Sequence, residues 1–155
     1  MRLHEVMKAG EFVETGSYEF TAERIVYFAR QFDPQYFHVD AEKARDSVFG
    51  GLCASGWHIC SACMKANVEN MLTLAKSVAK QGQTPPKFGP SPGFRNLKWL
   101  KPVMAGDTVT YYMRFNSDRP VEHRPGRHIC DLTYEGVNQR GETVLSYDCT
   151  VVEFE

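Results

Sequence analysis

Apolar residues recur along this chain with two periods. Between Ala22 and Phe32 they fall at Ile25, Phe28, Ala29 and Phe32, the i, i+3, i+4, i+7 spacing of one buried helix face. Thr21 stands where it can cap that helix. Pro34 disfavours helical geometry at Asp33, so the helix is expected to stop there. From Trp57 to about Lys80 neither proline nor glycine interrupts the chain, and Cys60, Met64, Val68, Met71, Ala75 and Val78 follow helical spacing. A helix of that length runs about 36 Å. Its first half, WHICSACM, is nearly uncharged and its second half carries several lysines. This predicts an N-terminal end wrapped by other structure and a C-terminal end emerging towards solvent.

After a connection rich in proline and glycine, residues 81–93, the period changes to two. FRNLKWLKPV (94–103), DTVTYYMRF (107–115), RHICDLTYEGV (127–137) and ETVLSYDCTVVEF (142–154) are rich in β-branched and aromatic residues. Ala105-Gly106, a loop at 118–126 and Asn138–Gly141 separate them, which predicts a four-strand antiparallel meander. A short strand around Phe12, Val13 and Tyr18 can add to its edge, and Ala41–Asp46 is a short helical possibility. The layout is α+β: one long helix, then a sheet able to wrap it.

The 155 residues fit one domain, 1–155, which buries roughly 68–70% of its unfolded surface. A formal net charge of −1 provides no whole-protein field to draw nucleic acid or an anionic membrane. The opening MRLHEVMKAGEFVE breaks every apolar run with a charge, and no stretch approaches the roughly 18 apolar residues of a spanning helix. Five cysteines, an odd number, fit reduced thiols in a cytoplasm.

Candidate chemistry gathers between Phe32 and Gly56. Asp33 and His38 lie five positions apart, about 140° around a continuous helix, so only the break at Pro34 can let them converge. At a helix C-terminus the Asp33 carboxylate meets the negative end of the macrodipole, and partial burial would raise its pKa further. A carboxyl so tuned beside a neutral histidine can hold a water and move its protons. A turn aspartate and a solvated loop histidine would leave the same pattern. Ser55-Gly56 opens the long helix, where unpaired N–H groups suit an oxyanion; Ser55 is equally an ordinary N-cap. Ser61, one turn on, faces the same site or simply bonds back to its helix.

Cys60-Ser61-Ala62-Cys63, near His58 and Cys53, has no second cysteine pair and lies inside an apolar helix. Its cysteines read as small hydrophobes rather than metal ligands. Arg119, Arg124 and Arg127 with His123 and His128 form a basic segment to which no site is assigned, as with Lys98 and Lys101. Trp57, Phe88, Phe94 and Trp99 either line an acyl pocket or fill core.

FDPQYFHVDAEKARDSVFGGLCASGWH, followed by SPGFRNLKWLKPVMAGDTV, resembles the MaoC-like hydratase/dehydratase family, relatives of (R)-specific enoyl-CoA hydratases. The resemblance covers roughly Thr21 to Val109. It implies a hot-dog fold, an antiparallel sheet around a central helix, and a homodimer or higher homo-oligomer with active sites near the subunit interface. It implies reversible hydration of a 2-enoyl thioester carried on CoA or acyl carrier protein. Catalytic roles fall on Asp33 and His38, carbonyl polarisation on Gly56, and substrate contacts on Ser61 and Ser55. No cofactor or metal is expected. Typical members read Asp-x-Asn-Pro-x-His and then His-Gly, whereas here Asp33 itself precedes Pro34 and Ser55 precedes Gly56. Alignment on the histidine keeps both proton-transfer groups; alignment on the proline puts the acid position at Gln31. A hot-dog protein that binds thioesters without turnover, one that serves a heteromeric partner, and an acyl-CoA thioesterase remain as alternatives.

Overall fold

Six strands wrap one long helix in the computed structural model, which describes residues 1–155. The elements in chain order are α1 (Leu3–Val6), β1 (Phe12–Glu19), α2 (Ala22–Phe32), α3 (Tyr36–Val39), α4 (Ala41–Ala44), α5 (Gly56–Lys80), β2 (Lys87–Phe88), β3 (Gly93–Trp99), β4 (Thr108–Pro120), β5 (Arg127–Asn138) and β6 (Thr143–Phe154). This is the hot-dog arrangement, with α5 as the filling. Its core comes from the period-two strands: Val109, Tyr111, Met113 and Phe115 of β4 are buried at every second position. Each such side chain contributes about 1.5–3 kcal/mol by leaving water.

The helix ends follow local chemistry. The Thr21 hydroxyl accepts from Arg24 N at 3.2 Å, and α2 stops at its C-cap Asp33, one residue before Pro34. Ile25 and Ala29 are buried beneath α2, while Phe32, expected on the same face, is 67% exposed. The chain turns at Pro34 into the single turn of α3, which the sequence pattern does not announce.

Two expectations need correction. The expected stripe of α5 included Met64 and Val68, yet these are half exposed, as is Leu72. The side turned into the sheet is instead Ile59, Ala62, Cys63 and Ala66. Close approach contributes: a Cβ added to Gly16 of β1 would stand 3.3 Å from Ala66 Cβ, so only small side chains fit where the helix crosses β1. Gly16 also sits at φ 152° in a β-bulge that curls β1 round the helix. The larger Met64, Val68 and Met71 flank an open apolar groove of about 460 Å³ shared with Phe88, Leu132 and Tyr134.

The second correction concerns topology. The sheet order is β1-β4-β5-β6, and β3 pairs with β6 rather than with β4. The connection from β3 to β4 is not a hairpin. It crosses the end of the sheet and finds its backbone partners in the segment preceding α5: Ala54 N donates to Val103 O at 2.8 Å, and Ala105 N to Leu52 O at 3.0 Å. Tyr111 OH, donating to Ile59 O at 2.9 Å, ties the start of α5 to β4.

Candidate active site

The segment Leu52–Ser55 is buried between that crossing connection and the α2–α3 turn. Cys53 links the two sides: its N–H donates to Phe37 O at 3.2 Å, and its carbonyl accepts from His38 Nδ1 at 2.7 Å. A carbonyl can only accept, so Nδ1 carries a proton and the neutral ring presents Nε2 as its basic nitrogen. Phe37 packs edge-on against the imidazole, ring centroids 4.6 Å apart. His38 is only 6% exposed, and its Nε2 stands 3.4 Å from Asp33 Oδ2. The break at Pro34 thus brings the two groups to one place, as the spacing required.

Asp33 is held on both oxygens. Ser55 Oγ donates to Oδ2 at 2.7 Å and Gln35 Nε2 to Oδ1 at 2.8 Å. Burial raises the carboxyl's pKa, but the hydrogen bonds from Ser55 and Gln35, with the charge of His38, outweigh it and leave Asp33 below its ordinary value. The helix-end argument pointed the other way. It omitted donors that only tertiary structure supplies.

Gly56 begins α5, and the amides of Gly56, Trp57 and His58 find no acceptor within the chain. A Cβ at Gly56 would lie 2.4 Å from the Trp99 indole, whose Nε1 donates to Gly56 O at 2.9 Å. Asp33, His38, Gly56, Trp57, Trp99 and Lys101 line one cleft of about 410 Å³. The arrangement pairs a carboxylate and an imidazole nitrogen with a positive helix end, which suits proton transfer beside a carbonyl that gains charge. Cys53 Sγ is 3.7 Å from His38 Nδ1, but burial and the charge of Asp33 push that thiol up to about 11, leaving it inert at neutral pH.

Ser61 does not join this group. Its hydroxyl donates back to Trp57 O at 2.7 Å, and it faces a neighbouring cavity with Tyr18, Phe28 and His58. Ser55 is at the N-cap position but makes no capping bond; its hydroxyl serves Asp33 instead. Gln31 is exposed and bonds to Tyr27 O at 3.1 Å, away from His38, so alignment on the histidine is the one that yields a pair. Gln35 was not anticipated, although an Asp-Pro-Gln turn places a side chain two residues on within reach of the aspartate. Trp57 and Trp99 are half-exposed at the cleft rather than core. No group of three or more His, Cys, Asp or Glu side chains is placed to hold a metal.

Known proteins resemble this chain in sequence and in fold. A model of the MaoC like domain matches residues 6–128. The chain is similar to YdeM of Bacillus subtilis (strain 168), 39% identical over 152 residues that cover 98% of each protein. Among solved structures it is similar to a MaoC-like dehydratase from Rhodospirillum rubrum, at 34% identity and TM-score 0.82, covering 100% of this chain and 97% of that one. The (R)-hydratase PhaJ1 of Pseudomonas aeruginosa shares the fold at 17% identity and TM-score 0.66, covering 94% of this chain and 81% of that one.

Proposed function

The chain belongs to the MaoC-like domain family, and from that membership we propose that it is a hydratase/dehydratase acting reversibly on a 2-enoyl (3-hydroxyacyl) thioester, with acyl-CoA as the carrier. The observation that carries this reading is the 3.4 Å approach of Asp33 Oδ2 and His38 Nε2 on a cleft whose other wall is the free amide of Gly56. In the hydration direction a water rests between the two side chains. His38 Nε2 takes one of its protons as the oxygen bonds to C3, and the proton then passes to C2, so one molecule of water is added across the double bond. The C2–C3 electron pair shifts transiently towards the thioester oxygen, where the Gly56 N–H stabilises it. Asp33 orients the water and stabilises the imidazolium. Cys53 O holds the ring with the correct nitrogen free.

The reading extends to a homodimer and a cytoplasmic setting. β3 leaves one edge unpaired, and Phe94, Trp99 and Leu100 are exposed there, which suits a second copy. Five free cysteines suit a reducing compartment. The test is a panel of 2-enoyl-CoA thioesters headed by crotonyl-CoA, followed by loss of the enoyl absorbance. Wild type should hydrate at least one member, and Asp33→Asn and His38→Ala should do so at least about 10²-fold less efficiently, with circular dichroism unchanged. Binding without turnover would instead make it a thioester-binding protein, and release of free thiol from acyl-CoA a thioesterase.

A further inference from the structure

We propose that Ser55 is a positioning residue for the proton-transfer pair, its hydroxyl fixing the Asp33 carboxylate in the orientation that faces His38. The inference rests on the reading of Asp33 and His38 as that pair. Ser55 occupies the N-cap of α5, where a serine hydroxyl ordinarily accepts from an amide of the first turn, yet it makes no such bond. A hydroxyl has one proton to give. Ser55, fully buried, gives it to Asp33 Oδ2 at 2.7 Å, the same oxygen that stands 3.4 Å from His38 Nε2.

With Gln35 on Oδ1, both carboxylate oxygens accept a hydrogen bond, and rotation about the Cβ–Cγ bond would break both. The support behind Ser55 is rigid. Ala54 N donates to Val103 O at 2.8 Å, and Cys53 is bridged to Met104. One buried run therefore sets three contacts: Cys53 O orients His38, Ser55 Oγ orients Asp33, and Gly56 opens the helix. Asp33 is faced by His38 from α3 and by Cys53 and Ser55 from the buried run, and it shares the cleft with Lys101, whose ammonium is paired with Glu142.

The test compares wild type, Ser55→Ala, Ser55→Cys and Ser55→Thr as full chains by two measurements. In the first, carbon-13 carboxyl NMR follows the Asp33 titration, assigned by its loss in Asp33→Asn. The Asp33 midpoint is expected to rise in Ser55→Ala and in Ser55→Cys, whose thiol is a weak donor of similar size, and to stay at the wild-type value in Ser55→Thr. In the second, kcat on an accepted enoyl-CoA falls about tenfold in Ser55→Ala with KM little changed. Ser55→Thr restores it. A lower melting temperature with the Asp33 midpoint and kcat unchanged would mean that Ser55 only ties two helix ends together, and would overturn the proposal. If wild type hydrates no thioester, the functional reading fails, and the carbon-13 titration still decides whether Ser55 controls Asp33.

Discussion

Two buried histidines stand on either side of the start of α5, and the contrast between them separates burial from function. His38 is 6% exposed and His58 5%, and each packs against a phenylalanine ring. His38 has a carbonyl on one nitrogen, a carboxylate near the other and a cleft in front of it. His58 lies in an aromatic box, stacked on Phe28 and edge-on to Tyr18 and Phe20. Its Nε2 meets Tyr18 OH at 3.3 Å and its Nδ1 has no partner. Burial, with a smaller contribution from Arg24, pushes its pKa down to about 4, so it is a neutral filler at physiological pH. On the proposed reading, polar partners placed on both sides of a ring, rather than its depth, fit His38 and not His58 for proton transfer.

Substitution should break the symmetry of this pair most sharply. Asp33→Asn and His38→Ala are expected to lower kcat/KM by about 10²–10⁴-fold, the usual contribution of general acid–base groups, while His58→Phe stays within about threefold of wild type. Steady-state kinetics on one enoyl-CoA decides this. A loss in His58→Phe equal to that in His38→Ala would erase the distinction.

Next in size is Gly56→Ala. The new methyl collides with the Trp99 ring, and the indole must leave the helix start. Activity should fall about 10–100-fold as the amide proposed to bind the carbonyl is displaced, with a lower melting temperature than wild type. Wild-type activity and melting would show that Trp99 moves freely.

The pH dependence of stability sharpens the comparison further. His58 binds a proton in the unfolded chain below about 6.5 but in the folded chain only below about 4. Wild type therefore loses stability as pH falls through that window, by about 3 kcal/mol. His58→Phe should lack this component, so denaturation curves of the two proteins separate progressively from pH 6.5 to 4. Asp33 behaves differently, because its folded pKa lies below the ordinary one. Its contribution is present above the ordinary carboxylate value and is lost only as pH falls through the folded one. The smallest effect is expected at Ser61, which shares a cavity with His58 rather than His38. Ser61→Ala should leave activity unchanged and stability within about 0.5 kcal/mol.

What the chain reveals in advance follows from the range of the interactions. The ends of α2 and the extent of α5 were readable because Thr21, Pro34 and an unbroken run from Trp57 act locally. The Asp33–His38 pair was readable because one turn joins its members. The buried face of α5 was misjudged because the hydrophobic period does not reveal that β1 comes close enough at Gly16 to demand a residue as small as Ala66. The partner of β3 was misjudged because Val103 and Ala105 satisfy their backbone against the run before α5, a contact between distant segments. The same distance hid the Ser55–Asp33 bond and with it the sign of the Asp33 shift.

The position of Trp99 over the helix start has an optical consequence. The chain holds two tryptophans, and both border this cleft, edge-on with centroids 5.2 Å apart and roughly half-exposed. No indole elsewhere contributes background emission. An occupant that strips water from either ring shifts the fluorescence to shorter wavelength, so the protein signals its own occupancy without a label, even in variants that cannot turn over.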